Sequence, residues 1–188
     1  MKIVGLSGSV VGSKTRTVMN YTIDKFKEKY PDEDISLIDL ADYDVQISDG
    51  RNYLDYTGDT GYVAKELMGA DVIIIGTPIF QASIPGALKN IFDLLPVQAF
   101  QDKVVSIIVT AGSTKHFLTV EQHLKPILGY MKATIVQTYV FIEEKDFYQK
   151  EITNVDVQFR IERLVEDTID VTHAFQKIRE EKDDKYDF

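Results

Sequence analysis

The chain contains no cysteine. That absence removes a disulfide frame, a thiolate metal site and a cysteine nucleophile together. No apolar run approaches the roughly 20 residues that a helix needs to span a bilayer. The first residues offer one lysine and then an apolar run, without the charged, apolar and cleavage regions of a secretory signal. The expectation is a soluble, cytoplasmic protein with no membrane partner. Basic charge is also scarce: 21 Lys and Arg against 30 Asp and Glu leave a formal charge of −9. Nucleic acid and anionic membrane both need basic surface, so neither is an expected partner. A small anion responds to a local field and is compatible with that balance. The three histidines lack metal-ligand spacing, and no metal site is expected. Internal repeats and linkers are missing as well, so the 188 residues suit one domain, 1–188, with a substantial core.

What is present centres on Gly8-Ser-Val-Val-Gly-Ser-Lys-Thr-Arg-Thr17. The apolar run before it, Lys2 to Leu6, is too short for a buried helix and suits a central strand. After it, Met19, Ile23, Phe26 and Tyr30 recur at helical spacing and form one apolar stripe. A strand, a turn of small hydroxyl residues and a helix start form a phosphate cradle, because free backbone N–H groups and the positive helix end point into the turn. Gly8 and Gly12 let the backbone bend around an anion. Ser9, Ser13, Thr15 and Thr17 add donors, and Lys14 and Arg16 add charge. Turns of this composition also occur with no ligand, and spacing alone leaves both readings open. A Walker A loop is ruled out, since Ser13 separates Gly12 from Lys14. The Gly-x-Gly-x-x-Gly dinucleotide fingerprint is absent too. A monophosphate is the better fit.

Further along, Pro31–Asp34 reads as a turn and Ile35–Leu40 as a second strand. Ala41–Gly61 lacks a period and is long for a connection, which favours a functional loop. Its Tyr43, Tyr53 and Tyr56 either cover a ligand or pack the loop onto the core. A helix is predicted over Tyr62–Gly69, and the continuously apolar Asp71–Gly76 suits a strand covered on both faces. A loop, Thr77–Gly86, leads to a helix with Leu88, Ile91, Phe92 and Leu95 buried. Lys103–Thr110 is a fourth strand and Thr134–Ile142 a fifth. The helix between them carries Leu118, Leu124, Ile127, Leu128 and Met131 and should bend at Pro126. The last helix runs from Asn154 to about Lys182, with Ile161, Leu164, Val165, Thr168 and Ile169 on one side, before a frayed charged tail.

Strands alternating with helices predict an α/β fold, a doubly wound five-stranded parallel sheet with a long C-terminal helix. Ligands of such sheets bind beyond the carboxyl ends of the strands, at the switch in strand order. The loops Gly8–Thr17, Thr77–Gly86 and Thr110–His116 converge there. Pro78, Ile79, Phe80 and Gln81 offer a flat apolar ledge with an amide. Ala111, Gly112 and Ser113 offer a wall that a ligand can approach closely. A phosphate socket beside ledge and wall fits a planar heterocycle on a phosphorylated tail. Flavin mononucleotide (FMN) is such a ligand, and the flavodoxin-like strand order 2-1-3-4-5 places it at this switch point.

The block Thr77-Pro-Ile-Phe-Gln-Ala-Ser-Ile-Pro-Gly-Ala-Leu-Lys-Asn-Ile-Phe-Asp-Leu-Leu-Pro96 resembles the signature of the NAD(P)H-dependent FMN reductase family. Ser7-Gly-Ser9 with its hydroxyl and basic followers is similar to that family's phosphate loop. The likeness continues through Asp102-Lys-Val-Val105, Ala111-Gly112, His116 and Leu124-Lys-Pro-Ile-Leu128, and covers Lys2 to Glu144. The branch most similar supplies reduced FMN to two-component alkanesulfonate monooxygenases.

The resemblance implies FMN as cofactor, NAD(P)H as electron donor and a flavin, quinone or azo-type small-molecule acceptor. A flavin-dependent monooxygenase is an implied partner, and a homo-oligomer, dimer or tetramer, an implied assembly. It implies phosphate contacts from Ser9, Ser13, Lys14, Thr15, Arg16 and Thr17. Ring and ribityl contacts fall to Pro78, Ile79, Phe80, Gln81, Ala111, Gly112 and Ser113. Val11 stands where the family often has arginine, leaving the charge to Lys14 and Arg16. Gln122 stands where the sulfonate branch has a tyrosine linked to flavin exchange, which favours a held flavin. No side-chain acid or base is required; His116, Asp71 and Asp93 read as structural. An electron carrier without its own substrate and a non-catalytic nucleotide-binding module are the competing readings. The oligomer is expected to use the last helix and the helix containing Gln122 and Pro126, with Val155, Val157 and Phe159 lying just before the former.

Overall fold

The apolar run at the N-terminus forms the middle strand of a parallel sheet. The computed structural model describes residues 1–186, with side-chain placement through residue 182. Strand β1 (Lys2–Ser7) lies between β2 (Asp34–Asp39) and β3 (Val72–Pro78), and β3 pairs in turn with β4 (Val104–Ala111). The far edge consists of two short strands, β5 (Thr134–Ile135) and β6 (Val140–Glu143), which both run parallel to β4. The order β2-β1-β3-β4-β5 is the expected 2-1-3-4-5.

Helices cover both faces, as the continuous apolar strands require. Helices α1 (Lys14–Lys29) and α5 (Val155–Tyr186) lie on one side. On the other lie α2 (Gly58–Gly69), α3 (Gly86–Leu94) and the short α4 (Lys125–Tyr130). Strand residues alternate between the two cores: Ile73 and Ile75 face the side of α2 and α3, whereas Val72 and Ile74 face α1 and α5. Where α1 crosses β3 the sheet carries Gly76. A methyl group there would lie 2.3 Å from the Met19 sulfur, so only glycine lets the helix start press this close.

Several elements differ from the sequence reading. The expected fifth strand, Thr134–Ile142, is split into β5 and β6. Between them Gln137 gives its carbonyl to Lys125 Nζ at 3.1 Å, and the Tyr139 hydroxyl donates to the Phe117 carbonyl at 2.7 Å. Those contacts hold the polar stretch out of the ladder. Pro126 lies inside one helical run, residues 119–130, directly after a local widening. Residues Val120–Leu124 form a wide π turn, and α4 begins only at Lys125. The wide π turn just before Pro126 accommodates its missing N–H. Helix α2 starts at Gly58, four positions before the expected Tyr62.

The sequence also gave no sign of a small antiparallel hairpin, β7 (Phe147–Tyr148) and β8 (Glu151–Ile152). Its two-residue turn, Gln149 and Lys150, holds both residues at positive φ, 46° and 68°, as a tight hairpin turn demands. Val155, Val157 and Phe159 belong to the first turns of α5 rather than to a segment before it. The α5 stripe of Val157, Ile161, Leu164, Val165 and Ile169 is buried against the protein's own sheet. The helix extends to Tyr186 in place of a frayed tail, and residues 187–188 lie outside the described residues. Among the described residues, no helix is long and apolar enough to cross a membrane.

Candidate functional site

The carboxyl ends of β1, β3, β4 and β6 open onto one cleft of about 370 Å³. Its walls include Gly12 to Thr15 from the first loop, Pro78 to Phe80 from the second, and Thr110 to Gly112 from the third. A larger cavity of about 490 Å³ lies between α3 and α4, among Phe92, Leu95, Pro126 and Tyr130. It is away from the strand ends and gathers few polar groups, so the smaller cleft is the site where chemistry converges.

The first loop is braced from inside. The Gly8 N–H donates to the Gly76 carbonyl at 2.7 Å and ties the end of β1 to β3. The buried Ser9 hydroxyl donates to the Val11 carbonyl at 2.6 Å. Gly12 has φ +79° and nothing within 4 Å of the position a Cβ would take. Ser13 is the N-cap of α1, yet its side chain makes no capping bond, and the first turn holds no acidic residue. Helix N-terminal N–H groups without a carboxylate or hydroxyl partner are suited to an anion.

Two side-chain contacts cross the cleft floor and mouth. Thr15 Oγ1 and Thr110 Oγ1 share a buried hydrogen bond of 2.9 Å. Lys14 Nζ donates to Glu144 Oε1 at 2.5 Å. The bond from Lys14, and then its charge, hold the Glu144 carboxyl below its ordinary range.

The second loop reverses sharply after Phe80. Phe80 and Ser83 exchange backbone hydrogen bonds of 2.9 and 3.0 Å, with Gln81 at φ 48° and Ala82 at φ 60° between them. A tight turn built without glycine stores strain, of order 1–3 kcal/mol per residue. It thrusts the Phe80 ring outward, 39% exposed at the cleft. Ser83 Oγ lies 3.0 Å from His123 Nδ1, which moors the loop to the π turn. In the third loop, a Cβ on Gly112 would meet nothing within 4 Å, so the wall is open to a close approach.

Of the residues singled out in the sequence, Ser13, Lys14, Thr15, Pro78, Ile79, Phe80, Ala111 and Gly112 line this cleft. Others are turned to different tasks. Arg16 points to the far side of α1, where Nη2 reaches Asp42 at 2.7 Å and Nε reaches Asp39 at 2.5 Å. Those bonds, Asp42 first, raise its pKa further. Ser9 braces the first loop, and the Thr17 N–H donates to the Ser13 carbonyl within α1. Gln81 sits at the strained turn, and Ser113 Oγ accepts from the Lys115 N–H at 3.3 Å as the cap of a short 3-10 turn. Sequence reasoning overlooked Glu144 as a lining residue. It follows β6, so the strand-end rule applied to the last strand would have reached it. No cluster of His, Asp and Glu suited to a metal occurs among the described residues.

With this geometry in place, comparisons with known proteins become informative. The family model for NADPH-dependent FMN reductase matches residues 1–147. An NAD(P)H-dependent FAD/FMN reductase of Geobacillus thermodenitrificans is 39% identical over 165 residues, 87% of this chain and 89% of that one. An FMN-dependent NADPH-azoreductase of Staphylococcus aureus is 26% identical, with 79% of this chain and 80% of the relative aligned. Among solved structures, an NADH:FMN oxidoreductase superposes with a TM-score of 0.72 at 24% identity, over 88% of this chain and 86% of that one. That likeness speaks for the fold, whereas the matched sequence spans all three loops of the cleft. The chain belongs to the NADPH-dependent FMN reductase family of oxidoreductases.

Proposed function

We propose that the cleft holds FMN and that the protein is an NAD(P)H-dependent flavin oxidoreductase. One observation carries the reading: the uncapped start of α1, the exposed Phe80 ring and the open backbone at Gly112 meet in a single cleft. The residues present fit the group. Gly12, Ser13, Lys14 and Thr15 would hold its phosphate through backbone N–H groups, hydroxyls and one ammonium. Pro78, Ile79 and Phe80 would flank the ring system on one side, with Ala111 and Gly112 on the other. Bound FMN supplies hydride acceptance from a nicotinamide and onward delivery of electrons.

The protein's part is orientation. The Thr15–Thr110 bond fixes the first loop against the third, and the mutual Phe80–Ser83 bonds fix the ledge. No side chain is assigned an acid or base role. Gln122, in the π turn, supports a held flavin over a released one. The names of the relatives support a flavin or azo-type acceptor and leave the donor as NADPH or NADH; a quinone rests on the family resemblance alone.

Assembly into a homo-oligomer is part of this proposal. The apolar stripe of α5 is buried inside the chain and is not available to a partner. What supports it is the exposure of Val155 and Phe159, 74% and 63%, on the outer side of α5, and of Tyr130 beside the α3–α4 cavity.

Anaerobic mixing of FMN-loaded protein with NADPH and NADH tests the reading. Bleaching of the flavin by at least one donor, reversed by a quinone or free flavin with continuous donor oxidation, is expected. Absence of bleaching with both donors would reduce the protein to a carrier or binding module.

A further inference from the structure

Lys14 has two claimants. Its ammonium is bonded to Glu144 Oε1 at 2.5 Å, and both residues line the cleft beside the start of α1. The frame behind Glu144 is well fixed. It opens a short 3-10 turn, Glu144–Asp146, directly after β6. The nearly buried Asp146 accepts from the Glu143 N–H at 2.8 Å and from Asn154 Nδ2 at 2.7 Å, closing that turn. Glu143 is itself paired with Lys145. The Glu144 carbonyl accepts from the Phe147 N–H to close the turn, while its side chain reaches across the cleft mouth to Lys14.

We propose that Glu144 is a specificity-determining residue, a resident carboxylate that competes with the ligand's phosphate for Lys14 and so tempers the cleft's affinity for phosphorylated flavin. The inference rests on the FMN reading above and adds a residue to it. Lys14 carries one charge. Its ammonium has three donors and can touch both groups, but a phosphate must share that single charge with Glu144, and the carboxylate then stands near a dianion of like sign. Both effects weaken phosphate binding and leave a ligand without phosphate almost untouched. Because the pair is substantially exposed, water and salt screen it, and the penalty is moderate.

The test compares FMN and riboflavin binding to the full-length wild-type protein and to Glu144→Gln, by quenching of flavin fluorescence. FMN should bind about two- to fivefold more tightly to the variant, the range set by exposed ion pairs. Riboflavin should bind both proteins equally. High salt should erase the gain. In a Lys14→Gln background the effect of Glu144→Gln should shrink toward onefold, because its main route is gone. Glu144→Ala should repeat the shift and guards against a peculiarity of glutamine. Unchanged or weaker FMN binding in both variants would overturn the proposal, as would an equal gain for riboflavin or an undiminished gain without Lys14. If the wild-type protein binds FMN no better than riboflavin, the phosphate site itself falls and the role of Glu144 with it.

Discussion

Thr15 in the first turn of α1 and Thr110 near the end of β4 share a buried hydrogen bond of 2.9 Å across 95 positions of sequence. Each hydroxyl is 5% exposed as a residue, so each is the other's substitute for water. The bond joins the first and third loops and fixes the start of α1 against the end of β4.

Replacing one partner leaves the other buried and unpaired. Thr15→Val and Thr110→Val should each cost about 1–3 kcal/mol of stability, and the double variant less than their sum. Urea denaturation of the cycle measures it; additivity would mean that the two hydroxyls do not depend on each other.

Gly76 predicts a second cost of a different kind. Gly76→Ala drives a methyl group against the Met19 side chain and should destabilise by about 1–3 kcal/mol through overpacking. Shortening Met19 should return part of that loss, so Gly76→Ala with Met19→Ala should be less unstable than the two changes predict separately. Thermal unfolding of the three variants decides it.

Arg16 separates what was legible in the chain from what was not. The parallel α/β architecture, the positions of α1 and α3 and the convergence of three loops follow from apolar periodicity and the strand-end rule, whereas the strand order came with the flavodoxin-like expectation; the fold carries all of them. Periodicity does not say which way a polar side chain turns. Arg16 lies two residues from Lys14, about 200° further round a helix, and so faces Asp39 and Asp42 while Lys14 faces the cleft. The break between β5 and β6 is hidden in the sequence because Val136, still bonded to Val105, and Val140 flank the short polar stretch Gln137 to Tyr139. Only contacts from Lys125 and Phe117, distant in sequence, pull it from the ladder. Glu144 differs: the strand-end rule reaches it after β6, and only its bond to Lys14, 130 positions away, is invisible in the sequence.

It follows that Arg16→Gln should leave FMN affinity within about twofold, the scale of a screened distant charge. It should lower the melting temperature, because the nearly buried Asp39 carboxylate loses its cation. A large loss of FMN binding with unchanged stability would place Arg16 at the phosphate after all.

The long loop before α2 is tied by Asp49, whose carboxylate takes a bond from Arg51 Nε at 2.9 Å and one from the Tyr56 hydroxyl at 2.8 Å. Arg51 first, and Tyr56 second, hold its pKa well below the ordinary carboxylate range. A depressed pKa contributes stability that is present above the unfolded value and is lost as pH falls through the folded one. The tie should thus survive mild acid and fail only in strong acid. Tyr56→Phe removes one donor and should move that loss upward in pH, which carboxyl NMR titration of Asp49 would show.

Two positions on α5 divide assembly from folding. Phe159 faces solvent and Leu164 is buried. Phe159→Asp should yield a folded species at the 21.4 kDa monomer mass by light scattering, whereas Leu164→Asp should unfold the chain. A wild-type protein already at monomer mass at micromolar concentration would contradict the oligomer.

FMN is assigned to the one cleft built by the ends of four strands and not to the larger cavity between α3 and α4. Hydrogen–deuterium exchange of the whole protein with and without FMN addresses this directly. Protection should appear together in the segments Gly8–Thr17, Thr77–Ser83 and Thr110–Ser113, and be absent around Phe92 and Tyr130. Protection confined to α3 and α4, or no change in the first loop at saturating FMN, would place FMN elsewhere.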